Sequence, residues 1–437
     1  MSVVDWVRGD ALGLDIPAHG EALRAGGEAF LTKAFHAAGT LAADNRVARI
    51  AELAECPGGS TGRKFLLTVE YERAQPGLHT DLFVKFSRDF DDELRDRARD
   101  QMEGVVKFAL ISRLPGFPIA VPACLFADYH HESGSGVLIT QRIPFGVGDV
   151  EPAHEKCCDY EIEDPLAHYR VLVTAVARLA GAHKGGRLAG HISETFPFDP
   201  ARAIASDRIR YSARQLLNRV SRYADFAAKH PQILPENIRT PAFIERLRAD
   251  VPRFLEHEQA IKQHLYSDPR FIALCHWNAN VDNAWFWRDA DGVLACGLMD
   301  WGRVNQMNVA LALWGGLSAA ELDIWNDHLD ELLALFVAEY RGAGGPVIAV
   351  EELKEHLCLF VATMGLAWLM DAPPLILAQI PDLAEVPDRF DARFRNNEHA
   401  RTQLHMLTSF LDLWETQDFG RVLDRFLERA GAGELLA

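Results

Sequence analysis

The chain has 437 residues, with 45 Lys and Arg against 62 Asp and Glu and a formal net charge of −17. At 49% hydrophobic and 24% charged residues it is too apolar for a disordered chain and long enough to bury a large core. The acidic balance excludes a broad electrostatic grip on nucleic acid or an anionic membrane, which needs clustered Lys and Arg, but it leaves room for a small anion in one local pocket.

Residues 1–50 read as helical, for example through Glu28-Ala-Phe-Leu-Thr-Lys-Ala-Phe35. A Gly-rich turn, Pro57-Gly-Gly-Ser-Thr-Gly-Arg63, leads into Phe65–Tyr71, whose alternation and strand formers predict a strand. Leu82–Phe86 predicts a second. From 91 to 113 the pattern is helical, with acids in the first turn and Met102, Val105, Val106 and Ala109 on one face, and Pro115, Pro118 and Pro122 end it. Residues 121–126 and 136–143 read as two further strands around His130-His-Glu-Ser-Gly134.

Beyond Gly146-Val-Gly148 the periodicity is helical over 165–184, 209–228, 241–265, 319–341, 350–371 and 397–429. A strand cluster at 271–299 interrupts it, with the short run Phe271–Cys275 and then two strands flanking the hairpin turn Arg288-Asp-Ala-Asp-Gly292. The apolar run Leu357–Met370 is shorter than the about 20 residues of a membrane span and reads as a buried helix. The N-terminus lacks the basic and apolar regions of a signal peptide. Seven cysteines without a C-x-x-C argue against a disulfide framework or zinc site and fit a reducing cytoplasm. His130-His131 could bind metal but precede Glu-Ser-Gly-Ser-Gly and read as an exposed loop, and Cys157-Cys158 with His154 lacks ligand spacing. The expected class is α+β, with a small β-rich lobe over 1–145 and a larger, mainly helical lobe over 146–437.

The chemistry concentrates between Cys275 and Gly302: Cys-His-Trp-Asn-Ala-Asn-Val-Asp-Asn, the hairpin, then Asp300-Trp-Gly302. This resembles phosphotransferases of the aminoglycoside-kinase and choline-kinase kind, relatives of protein kinases. Their catalytic loop reads H-x-D-x-x-x-x-N, and a metal-binding Asp follows one hairpin later. The resemblance implies a bilobal kinase-like fold and a Mg²⁺–ATP or Mg²⁺–GTP cofactor. It places His276 as the brace of the loop, Asn278 at the catalytic position, and Asn283 and Asp300 as oxygen ligands for the metal. It also makes Lys85, mid-strand between Val84 and Phe86, the phosphate-holding lysine. Gly58, Gly59, Ser60, Thr61 and Gly62 fall at the phosphate-covering loop, which is not a Walker A sequence. Gln141 and Ile143 fall on the hinge that pairs with adenine.

Two departures stand out. Asn278 replaces the usual Asp, and an amide can orient a hydroxyl but not take its proton; Asp282, the other carboxylate position of the loop, is the substitute candidate. The helix acid that pairs with the strand lysine is missing at the expected place, where Val105 stands three residues before Phe108. Either Glu103 reaches Lys85 or the helix supplies no partner, since Glu103 also pairs naturally with Lys107 at i, i+4. The function expected is small-molecule phosphoryl transfer from a nucleotide to an unidentified acceptor. The alternative is a pseudokinase-like protein that binds nucleotide or metabolite without transfer.

Overall fold

The computed structural model describes residues 4–56 and 62–431. It is an α+β protein whose chain divides into two compact units. Unit 1 comprises Met1–Glu151 and the returning segment Gly297–Asn305; unit 2 comprises Pro152–Cys296 and Gln306–Ala437.

In unit 1, β1 (Trp6–Arg8) and β2 (Asp15–Pro17) form a small ribbon ahead of α1 (Gly20–Ala37). Then come β3 (Val47–Cys56), β4 (Arg63–Tyr71), β5 (Asp81–Phe86), α2 (Arg95–Ile111), β6 (Cys124–His130) and β7 (Ser135–Gln141). The five longer strands make one antiparallel sheet in the order β3-β4-β5-β7-β6. Residues 1–50 are therefore less helical than expected, with one helix, two short strands and the start of β3.

Strand alternation gives the sheet two buried faces. Leu82, Val84 and Phe86 of β5 join Leu23, Phe30 and Phe35 of α1 in one core. On the opposite face Leu138 and Ala127 pack on Met102, Val105 and Val106 of α2. The α2 stripe anticipated from the sequence is thus the stripe that packs on the sheet.

Unit 2 begins with α3 (Pro165–Lys184), α4 (Ala189–Thr195), α5 (Pro200–Ala205), α6 (Ala213–Lys229) and α7 (Pro241–Ser267). Next come β8 (Ile272–Cys275), β9 (Ala284–Arg288), β10 (Leu294–Leu298), which runs on into unit 1, and β11 (Asn305–Asn308). The remainder is helical: α8 (Val309–Leu317), α9 (Leu322–Asp327), α10 (Leu329–Gly342), α11 (Val350–Trp368), α12 (Ala372–Gln379), α13 (Ala392–Arg395), α14 (Glu398–Thr416) and α15 (Phe419–Gly431). The helices expected over 319–341 and 397–429 are each broken in two, the second at Asp418, which has a φ of 48°.

β9 pairs with β10 and β8 with β11. The β9–β10 turn closes through Asp289, whose carboxylate accepts from the Asp291 and Val293 amides, and Gly292 takes the positive φ the turn requires. One helical stretch, Val350–Gln379, is long and apolar enough to cross a membrane, but its most apolar window is mostly buried within the protein. All seven cysteines are free.

Candidate functional site

The residues of interest fall into two groups, one in each unit. In unit 1, Lys85 sits on β5 opposite Lys64 of β4 and Leu138 of β7, on the face covered by α2. It is 4% exposed, a burial that an ammonium tolerates only with a partner. That partner is Asp300, 215 positions away in sequence, with Nζ to Oδ1 at 3.1 Å.

The α2 acid does not compete for Lys85. Glu103 instead binds Lys107 at 2.7 Å and His131 at 3.1 Å. Burial works against its charge, yet the bonds to Lys107 and His131 outweigh it and hold the carboxyl below its usual range. Val105 points into the sheet core. Asp300, reached from the other end of the sequence, is the acid that meets the strand lysine.

Asp300 is held by its neighbours. Gly297 bridges to Ala120, and the Leu298 amide donates to the Ala120 carbonyl at 3.0 Å. Trp301 stacks on Phe108 of α2 with ring centroids 3.7 Å apart, and its indole N–H donates to the Leu298 carbonyl. Between these anchors Asp300 adopts a φ of 58°, a left-handed conformation uncommon for any residue other than Gly, Asn or Asp.

Of the phosphate-loop residues, Gly58, Gly59, Ser60 and Thr61 lie outside the described residues. Gly62 is described, and a Cβ there would lie 1.9 Å from the Phe86 carbonyl oxygen, so only glycine fits this approach to β5. At the hinge the Gln141 amide donates to the Ala123 carbonyl at 2.8 Å.

In unit 2 the loop follows β8, which is buried along its length. The Leu274 amide donates to His183 Nδ1 at 3.0 Å, tying β8 to α3. Burial, and then Lys184, push the His183 pKa down to about 4, so the ring stays neutral and can accept this bond. His276, 2% exposed, accepts the Asn278 amide on Nδ1 at 3.1 Å. Asn283 donates its side-chain N–H to the Asn278 carbonyl at 3.0 Å, and its amide donates to Asn280 at 2.9 Å. Bracing from both ends thus holds the backbone at Asn278. With its nitrogen engaged, the Asn283 amide is oriented so that Oδ1 remains as an acceptor, the atom a hard cation would need.

The loop also rests on α8. A Cβ at Gly315 would lie 1.6 Å from the Trp277 carbonyl oxygen, so the helix meets the loop through bare backbone.

Two residues of this neighbourhood escaped the sequence. Asn280 is 1% exposed, and neither its side-chain nitrogen nor its oxygen has a hydrogen-bond partner. Asp159 is fully buried, accepts a short hydrogen bond from the Tyr169 hydroxyl through Oδ2, and has no partner on Oδ1. Burial pushes its pKa up to about 8 against the Tyr169 bond, and the charges of Glu321 and Asp282 push the same way. Asp282 also acts on Cys157 and Tyr169, so the loop carboxylate lies in the electrostatic reach of this cluster. Nothing in the local sequence around Asp159 signals this, because the cluster forms only on folding.

No protein-family profile matches the chain, and no curated protein does. Among solved structures it is similar to a choline/ethanolamine kinase family protein from Mesorhizobium loti, at 14% identity and a TM-score of 0.41 over 86% of this chain and 93% of that one. It is similar to a Plasmodium vivax ethanolamine kinase at 13% identity and 0.41, covering 84% and 83% of the two chains. An aminoglycoside phosphotransferase in complex with GDP and kanamycin is similar at 12% identity and 0.40, covering 83% and 93%. At such identities and TM-scores these likenesses carry no weight for function, which rests on the residues above.

Proposed function

We propose that the protein is a small-molecule phosphotransferase using Mg²⁺–ATP or Mg²⁺–GTP. The observation that supports this most is the Lys85–Asp300 pair, a buried cation and a half-exposed carboxylate held at 3.1 Å. Such a pair offers a phosphate partner and a cation partner side by side.

By donor chemistry alone, the Asp300 carboxylate and the Asn283 amide oxygen, whose nitrogen is already engaged, are each of the hard-oxygen kind that would hold Mg²⁺. When bound, the metal supplies neutralisation of phosphate charge. Lys85 holds phosphate oxygens, His276 braces the loop backbone, and Asn278 orients the acceptor. The acceptor hydroxyl oxygen forms a bond to the γ-phosphorus as the bond to the bridging oxygen breaks. The nucleoside diphosphate leaves, and the hydroxyl proton passes to water or to Asp282. The free thiols fit a reducing, cytoplasmic setting.

The test is thermal shift with Mg²⁺–ATP and Mg²⁺–GTP, followed by nucleotide turnover. Absence of stabilisation by either nucleotide refutes the reading. A second reading, binding without transfer, is favoured by Asn278, whose neutral amide cannot accept a proton. Nucleotide stabilisation with no turnover in either wild type or Asn278→Asp selects it.

A further inference from the structure

The ladder that holds Lys85 carries a second lysine. Lys64 of β4 lies directly opposite Lys85 of β5, and the row continues to Leu138 of β7. Phe65, Leu67 and Val69 of β4 face the core under α1, so alternation turns Lys64 and Leu66 to the other face, the one Lys85 uses. Residues opposite each other in an antiparallel pair have Cβ atoms about 4.5–5.5 Å apart, and like charges so placed destabilise the pair.

Only one of the two lysines has a counter-charge among the described residues. Lys85 has Asp300 at 3.1 Å. Lys64 is half-buried, and among the described residues its ammonium has neither an ion pair nor a hydrogen bond. Two carboxylates meet this end of β4, Glu55 and Asp89, and Arg63 holds both, at 2.6 and 2.9 Å.

The same face is open beside Lys64. Helix α2 packs on its β6 and β7 side, through Cys124, Ala127 and Leu138. Leu66 and Phe83, the next cross-strand pair on the Lys64 side, are only half-buried, so a solute can reach this strip. Once Asp300 serves a metal, both lysines need an anion, and one polyphosphate chain can meet both.

We infer that Lys64 is a second phosphate-binding residue, and that the nucleotide's polyphosphate lies between two lysines on adjacent strands. That the anion belongs to a nucleotide rests on the phosphotransferase reading; the two-lysine anion site rests on the strand register and on the unmatched charge of Lys64.

Isothermal titration calorimetry of the full chain tests this. The probes are Mg²⁺–ATP and Mg²⁺–GTP, the matching nucleosides, and inorganic tripolyphosphate, each with wild type, Lys64→Met, Lys64→Arg and Lys64→Glu. Lys64→Met should weaken the nucleotide and tripolyphosphate about 10- to 100-fold, the worth of one charge-assisted hydrogen bond, and leave the nucleoside within about 2-fold. Its nucleotide dissociation constant should also rise less steeply with salt than that of wild type. Lys64→Arg keeps the charge and should stay within about 5-fold of wild type. Lys64→Glu should abolish binding of both anions yet, without ligand, melt no lower than wild type, because it turns a like-charge pair into an opposite one. That melting temperature separates lost binding from lost folding.

A nucleotide affinity of Lys64→Met within about 2-fold of wild type, or an equal loss for the nucleoside, overturns the inference and leaves the phosphotransferase reading standing. Tripolyphosphate binding that needs Lys64, without binding of either nucleotide, upholds the two-lysine anion site and sinks that reading. Wild type that binds neither nucleotide nor tripolyphosphate overturns both.

Discussion

Replacing Asp300 by Asn tests the electrostatic core of unit 1. Asn tolerates the left-handed backbone at this position, so Asp300→Asn removes charge with little added strain. Two unit charges 3.1 Å apart attract by about 5 kcal/mol at an effective dielectric of 20. Most of that is offset by stripping water from the Lys85 ammonium, and the half-exposed Asp300 is screened by solvent. A net coupling of about 1–3 kcal/mol remains. The two single variants should differ, because Asp300→Asn leaves a buried ammonium without its counter-charge while Lys85→Met leaves a carboxylate that water can reach. The first should cost about 2 kcal/mol and the second less than about 1 kcal/mol. A double-mutant cycle in urea unfolding measures the coupling. Because Lys85 is buried, the coupling should change little between low and moderate salt. A coupling below about 0.3 kcal/mol, or equal costs for the two variants, refutes the reasoning.

Asn278→Asp should raise turnover by about 10²-fold if the remaining loop is sound, read from steady-state transfer or hydrolysis. Asp159 has a folded pKa raised to about 8, so its proton stabilises the fold at low pH, and that contribution is lost as pH rises from about 4 towards 8. The melting-temperature advantage of Asp159→Asn over wild type should therefore widen between pH 5 and pH 8, and a constant difference contradicts the assignment. Gly315→Ala places a methyl against the Trp277 carbonyl and should destabilise by about 1–3 kcal/mol while displacing the loop, measured by unfolding and by loss of turnover.

The parts of the fold legible in the sequence are those whose periodicity matches their burial. β4, β5, β7 and α2 show it plainly. β3 misleads for a physical reason. Its apolar residues Val47, Ile50 and Leu53 recur every third position, which imitates a helix. The strand sits at a sheet edge with register shifts between Val47 and Arg49 and between Ile50 and Glu52, and these bulges stretch the usual period of two. At the site, Lys85, His276, Asn278, Asn283 and Asp300 stand out in the sequence through the family resemblance. The resembling family keeps the partner of the strand lysine on the helix, whereas Lys85 here meets Asp300. Asp159 was invisible, since its perturbation comes from burial and from neighbours distant in sequence.

The return of residues 297–305 to unit 1 bears on how this protein can be dissected. A fragment cut after Glu151 would expose the face of Phe108 and strand Lys85 in an apolar sheet, so it should be poorly soluble. Supplying the missing nonapeptide in trans, or splicing it on through a short linker, is the natural way to obtain that half by itself. Conversely, deleting the nonapeptide from the intact chain should harm the amino-terminal half, far from the cut in sequence.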